Sequence, residues 1–366
     1  MKVAYVHDWL VTYRGGEKVL ESLLSLYPDA PVYTLFYETE LMPESINKRK
    51  VIYPRYLQIF KRFRKVLLPI YPLLIEAFPL EKYDLVISTS SCVAKGVMTG
   101  PTAHHISYIH SPMRYIWDQR EHYMGAFSKI PGGQFLFHLL SSKLRVWDVT
   151  STNRVNKLIA NSGFVSKRIK QYYGRPSTVI HPPIATERFK SLDLPKEDYF
   201  LAAGAFVSYK RFDLAIEACK KSKCKLVIAG SGPLESRLRE LAGPETTFVI
   251  SPSPDEWSEL FNKAKAFIFP GVEDFGMTAI ESIASGTPVI AYKEGGALDF
   301  IVEGESGLFF EKPTADSLAE ALAEFEATGH QFDKGTLRNF ADKFSTAAFL
   351  SKFKSEIHSM MQETCT

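Results

Sequence analysis

Cysteine is scarce in this chain: Cys92, Cys219, Cys224 and Cys365 are the only four in 366 residues. Their spacing makes neither a disulfide framework nor a paired C-x-x-C zinc pattern, so reduced thiols of a cytosolic compartment are expected. His104-His105 lacks the further ligands of a zinc site. Long apolar runs are also missing. The longest, Val66 to Leu80, is interrupted by Pro69, Pro72, Glu76 and Pro79 and falls short of the roughly 20 residues a membrane-spanning helix needs. The start, MKVAYVHDWLV, has one Lys and a short apolar run broken by His7 and Asp8, which reads as a first strand rather than a cleaved leader. Net charge is small: 44 Lys and Arg against 41 Asp and Glu give +3, too little for a chain whose main work is neutralising nucleic-acid phosphates. No nucleic-acid partner is expected.

What is present is an ordinary globular composition, 45% apolar and 23% charged, over a length that suits two domains. Lys2 to Val6 reads as a buried strand, followed by a glycine-bearing turn (Thr12 to Gly16) and an apolar-periodic helix from about Glu17 to Leu26. Leu85 to Ser88, Ile106 to Ile109 and Leu158 to Ala160 repeat the pattern of a short apolar run ending in polar residues. After His181-Pro182-Pro183 the grammar restarts, with runs at Phe200 to Ala203, Lys225 to Ala229, Thr247 to Ile250, Ala266 to Phe269 and Pro288 to Ala291. The fold class is therefore α/β, with two parallel sheets in series and ligand expected at the carboxyl ends of the strands. The expected domains are 1–184 and 185–345, with a C-terminal helix at about 346–366 returning to the first. Phe349, Leu350, Phe353, Ile357 and Met360/Met361 give that helix a face that needs a docking surface.

The strongest chemical signal is PGVEDFGMTAIE, residues 270–281, which follows an expected strand and carries Glu273 and Glu281 around a glycine turn. A helix starting near Gly276 would turn the free amides of Phe275, Gly276, Met277 and Thr278 toward an anion. Glu273 would stand on the loop before the helix and Glu281 inside it, up to roughly 12 Å away at the helical rise. A nucleotide sugar is long enough to use both; a helix with a polar face is the plainer alternative.

Here the sequence resembles a retaining glycosyltransferase of family 4, over nearly the whole chain. Glu273 and Glu281 match the family's E-x7-E, Gly295-Gly296-Ala297-Leu298-Asp299 resembles its GG-x-x-E with Asp for Glu, and GESGLFF (304–310) is similar to its G-x-T-G-L-L turn. Gly15-Gly16 resembles the glycine pair that lets backbone approach the donor phosphate. YIHSPMRYIWD (108–118) looks like the stretch carrying the family's catalytic-domain His, here His110. Together with HDWL near the start and HPPI at 181–184, it is closest to bacterial mannosyltransferases that build surface polysaccharides from GDP-mannose. One departure stands out. The family usually has G-R-x-x-x-x-K where this chain reads Gly204-Ala205-Phe206-Val207-Ser208-Tyr209-Lys210-Arg211, so Lys210 keeps its place while the Arg becomes Ala205; the adjacent Arg211 is the candidate substitute.

The resemblance implies the GT-B fold, two Rossmann-like domains facing across a donor-binding cleft: an N-terminal acceptor domain and a C-terminal nucleotide-sugar-binding domain. It implies transfer of a hexose, mannose from GDP-mannose, to a lipid-linked or polysaccharide acceptor. Lys210, Arg211, the Gly16 amide and the Phe275–Thr278 amides would hold the diphosphate, Glu273 and His110 the sugar, and Glu281 the ribose. The absence of D-x-D argues against a metal-bridged diphosphate, so no metal or cofactor is expected and cations and helix ends must carry the leaving-group charge. Two other classes share the fold: a sugar-nucleotide epimerase, and a non-catalytic sugar-nucleotide-binding partner of another transferase, which Ala205 allows.

Charge is unevenly placed. Lys48, Arg49, Lys50, Arg55, Lys61, Arg62, Arg64 and Lys65 lie in a stretch without an acidic residue, which carries +8 and leaves −5 for the rest. Tyr56, Ile59, Phe60, Phe63 and Leu67 are interleaved at helical spacing. An anionic membrane surface is the expected partner, placing the protein in the cytoplasm or on the inner face of the bacterial membrane; a solvated basic face over ordinary core is the alternative.

Overall fold

The computed structural model describes residues 1–64, 67–118, 133–328 and 332–363. The chain forms two compact units, Met1–His181 with Leu350–Thr366 and Pro182–Phe349. Each is a parallel sheet with helices, as the apolar runs lead one to expect.

In unit 1 seven strands order as β3-β2-β1-β4-β5-β6-β7: β1 Val3–His7, β2 Val32–Thr34, β3 Val51–Ile52, β4 Leu85–Ser90, β5 His104–Ile109, β6 Lys157–Ala160 and β7 Thr178–Val179. Every residue of β1 and β4 is buried, which is what a strand covered on both faces requires and why these segments read as continuous apolar runs rather than alternating ones. The helices used below are α1 Gly15–Leu24, α2 Gly133–Ser151 and α3 Gly163–Tyr173. α1 begins at Gly15, two residues before the expected Glu17, because the Glu17 carboxylate accepts the Arg14 amide (2.9 Å) and so closes the first turn.

Unit 2 has six parallel strands in the order β10-β9-β8-β11-β12-β13: β8 Phe200–Ala205, β9 Leu226–Ser231, β10 Thr246–Ile250, β11 Phe267–Phe269, β12 Val289–Tyr292 and β13 Gly307–Phe310. Its helices include α4 Phe212–Ser222, α5 Pro254–Lys263 and α6 Met277–Ala284. Phe267, Phe269, Phe275, Phe300 and Phe344 fill the core between the sheet and α6. The segment GESGLFF is turn only at its start; Gly307–Phe310 pairs with β12 as an edge strand.

The last helix, α7 (Thr346–Glu363), buries Phe349, Phe353, Ile357 and Met360. Phe353 packs on Tyr108 with ring centroids 6.5 Å apart, and Glu356 pairs with Lys157 at 2.8 Å. The expected docking surface is thus β5 and β6 of unit 1.

Candidate functional site

Both sheets reverse their strand order once, in unit 1 between β1 and β4 and in unit 2 between β8 and β11. At such a point the loops leaving two neighbouring strands diverge and open a crevice at the carboxyl ends. The residues singled out in the sequence gather at these two places.

In unit 2 the turn after β8 carries Lys210 and the loop after β11 carries Glu273. Lys210 Nζ donates to Glu273 Oε1 at 2.5 Å, with side chains only 11% and 14% exposed. The pairing needs the β8 turn to lie directly on the β11 loop. Gly271 permits this, since a Cβ there would stand 2.1 Å from the Tyr209 carbonyl oxygen. Gly276 precedes α6 with φ 110, a conformation for glycine, and a side chain would also strike the Phe269 ring. The loop is held from the other side by Gly296, whose amide donates to the Glu273 carbonyl at 2.8 Å. The GG segment therefore supports the Glu273 loop by backbone contact.

α6 starts at Met277, so the amides of Phe275 to Thr278 belong to the loop and first turn at the positive end of the helix dipole. The Thr278 hydroxyl is buried with no hydrogen-bond partner among the described residues. Glu281 is buried inside α6, and its Oε2 accepts the Trp257 indole N–H at 3.1 Å. Trp257 stands on α5, whose start is set by Ser253 and Glu256 capping each other's backbone (2.7 and 3.3 Å) and by Pro254 in the first turn. Trp257 was not singled out in the sequence; 24 residues separate it from Glu281, and nothing in the spacing links the two.

Arg211 takes a left-handed conformation (φ 51), which turns its side chain away from that of Lys210, and its guanidinium makes a forked contact with Asp213 at 3.0–3.1 Å. It is thus engaged outside the Lys210–Glu273 pair. Ala205 ends β8.

In unit 1, His7 ends β1 and His110 follows β5. His7 Nδ1 bonds the Thr89 hydroxyl at 2.6 Å, the residue opposite it in register on β4. His110 is fixed through its backbone: its amide donates to Ser90 O and its carbonyl accepts from Asn161 Nδ2, both at 2.9 Å. The two rings meet edge to face at 6.4 Å. Gly16 lies against both, its Cβ direction pointing to His110 Nε2 at 3.6 Å and His7 Cε1 at 3.8 Å. Burial lowers the His7 pKa to about 4, so the ring is neutral at pH 7. Asp8 plugs the next loop: its carboxylate accepts the amides of Ser91, Cys92, Val93 and Ala94 at 2.6–2.9 Å. The HDWL sequence therefore supplies one ring to the crevice and one carboxylate that fixes the loop beside it.

The basic stretch is helical over Arg55–Phe63, as the spacing predicts, but as a 3₁₀ helix, and Val51–Ile52 before it is the edge strand β3. Leu57 is buried, whereas Tyr56, Ile59 and Phe60 are 65%, 76% and 45% exposed. Lys48 pairs with Glu44 and Lys61 with Glu38. Lys65 and Cys365 lie outside the described residues. No described helix is long and apolar enough to cross a membrane. A depression of about 680 Å³, lined by Glu197, Lys220, Lys223, Lys225 and Glu245, lies at the opposite, amino ends of β9 and β10 and belongs to neither crevice.

Comparison with known proteins bears on the fold and on the second unit. Residues 183–341 match the family model described as Glycosyl transferases group 1. O-antigen chain mannosyltransferase C of Escherichia coli is 28% identical over 160 residues, which are 41% of this chain and 43% of that protein. The chain thus spans less than half the length of that relative. HepE of Anabaena, solved in complex with UDP, superposes with a TM-score of 0.72 at 15% identity over 98% of this chain and 100% of its own. WaaG, a glycosyltransferase involved in lipopolysaccharide biosynthesis, does so with a TM-score of 0.65 at 16% identity over 96% and 98%. Residues 183–341 are accordingly similar to glycosyl transferases group 1, and the two Rossmann-like α/β units have the architecture of the GT-B fold.

Proposed function

We propose that the protein is a retaining hexosyltransferase that moves mannose from GDP-mannose to a glycan or lipid-linked acceptor at a membrane surface. The observation that carries the reading is the buried Lys210–Glu273 pair at the switch point of unit 2, beside the amides that open α6. A cation, a carboxylate and the amides at the start of a helix in one crevice suit a ligand with an anionic middle and a hydroxylated end. In this reading Lys210 and the Phe275, Gly276, Met277 and Thr278 amides take the diphosphate, with the Gly16 amide. Glu273 and His110 take the sugar, and Glu281, oriented by Trp257, the ribose. Arg211 is assigned a lesser share, because Asp213 already neutralises it. The mannosyl choice is supported by the relative from Escherichia coli. The leaving phosphate assists same-face attack by the acceptor hydroxyl, and no metal takes part.

Membrane contact is supported by the outward-facing Tyr56, Ile59 and Phe60 beside Arg55 and Lys61, since greasy side chains among cations match an anionic bilayer better than water. The test is a thermal-shift comparison of GDP-mannose, UDP-glucose and ADP-glucose, followed by product analysis with a mannosylated acceptor. A ligand at 100 times its dissociation constant adds about 2.7 kcal/mol of stability. Stabilisation by the guanosine sugar and mannose appearing on acceptor is the expected result. A shift with UDP-glucose alone overturns the donor, and a C2 epimer formed without acceptor overturns transfer.

A further inference from the structure

Cys219 and Cys224 take no part in either crevice, yet the fold sets them against each other. Cys219 lies in the last turn of α4 and Cys224 just beyond its end. The helix is closed by Lys223 in the left-handed conformation (φ 52), with the Lys223 amide on Lys220 O at 3.4 Å and the Cys224 amide on Cys219 O at 3.1 Å. This pair of bonds is a Schellman closure, which folds the residue after the left-handed position back onto the residue five before it. Usually that contact is aliphatic. Here both members are cysteines, brought together by that closure. Cys219 is fully buried, whereas Cys224 is partly exposed between Lys223 and Lys225, at the rim of the depression at the amino ends of β9 and β10.

We propose that Cys219 and Cys224 are a redox site, closing to a disulfide when the protein meets a hydroperoxide and reopening with a dithiol. Cys224 reacts first because it alone of the two reaches solvent. The neighbouring Cys219 thiol, with help from the Lys265 ammonium, holds it toward thiolate, while the proximity of Cys224 and burial push the Cys219 thiol up. The Cys224 thiolate attacks one peroxide oxygen, expelling hydroxide and leaving a sulfenic acid. The Cys219 sulfur then attacks the Cys224 sulfur. The S–S bond forms, the S–O bond breaks, and the Cys219 proton leaves with that oxygen as water. Two electrons pass from the thiols to the peroxide, and the product staples the end of α4 to the start of β9.

The test uses the whole protein, treated with hydrogen peroxide, with thiols counted and peptides mapped by mass. Titratable thiols should fall by two per chain, a peptide spanning both cysteines should be lighter by two hydrogens, and dithiothreitol should restore both. In Cys219→Ser the reaction should stop at a Cys224 sulfenic acid that dimedone captures; in Cys224→Ser, Cys219 should oxidise at least tenfold more slowly. Should the buried Cys219→Ser change unfold the protein, dimedone capture in the parent serves instead, where it should be transient. A persistent sulfenic acid in the parent, or oxidation confined to Cys92 or Cys365, overturns the proposal.

Discussion

Replacing Lys210 by Met leaves Glu273 buried without its cation, and replacing Glu273 by Gln strands Lys210. At 2.5 Å and an effective dielectric near 20, the mutual attraction is about 6 to 7 kcal/mol, most of it offset by taking both ions out of water. Removing one partner keeps the other's desolvation cost without its compensation, which typically amounts to about 3 to 5 kcal/mol. Because the side chains retain 11% and 14% of their exposure, the lower end applies. Each single variant should therefore lose about 3 kcal/mol, or roughly 6 to 12 °C in a domain of this size. The double variant removes both charges and should be more stable than either single, losing about 1 to 2 kcal/mol. Urea or calorimetric melts of the four proteins measure this directly. If the losses add, so that the double variant is the weakest, the two residues are not partners in the free protein and the crevice described above is wrongly built. The functional half of the cycle reads differently. Glu273→Gln should cut turnover far more than nucleoside diphosphate binding, and Lys210→Met should weaken nucleoside diphosphate much more than nucleoside.

Acid should weaken the fold at moderate pH. Burial lowers His7 to about 4 and His105 to about 3, so the unfolded chain takes up protons first as pH drops below 6.5, and each His costs about 2 kcal/mol by pH 5. The buried carboxyl of Glu17 is raised and opposes this in part; a urea midpoint that is flat from pH 7 to 5 contradicts the two neutral rings. Trp257→Phe removes the donor to Glu281 and should weaken GDP several-fold while leaving 2′,3′-dideoxy-GDP unchanged; equal losses would mean that the indole only packs. Ile59→Ser with Phe60→Ser should reduce sedimentation with anionic vesicles by at least tenfold and spare turnover of a short soluble acceptor. Turnover should survive a chelator, and a requirement for added divalent ion refutes the metal-free assignment.

The central strands were legible because a strand covered on both faces must be apolar throughout, and Val3 to Val6 or Phe267 to Phe269 have no other way to be buried. Edge strands were not. Val51–Ile52 and Thr178–Val179 are two residues each, too short for any period to show, and Gly307–Phe310 was hidden by its likeness to a turn. Glu273 and Glu281 were reached through a local motif with its own glycine punctuation, and Lys210 and His110 through the family resemblance. Their partners were not. Lys210 and Glu273 are 63 residues apart and His7 and Thr89 are 82, and only the strand order brings them together. Trp257 looked like one more apolar residue on an amphipathic helix, because an indole N–H aimed at a carboxylate leaves no mark on periodicity.

The return of the chain through α7 has a consequence for synthesis. Unit 2 is one uninterrupted stretch, Pro182–Phe349, whereas unit 1 is completed only by Leu350–Thr366. The usual vectorial order, in which the amino-terminal domain is finished first, is therefore reversed. As the chain leaves the ribosome, unit 2 holds all its own core before Phe353, Ile357 and Met360 exist to cover Tyr108 and its neighbours. Until residues 350–363 have emerged, that face of the nascent first unit is bare apolar surface, and a chain cut short before them has a whole second unit and an incomplete first one.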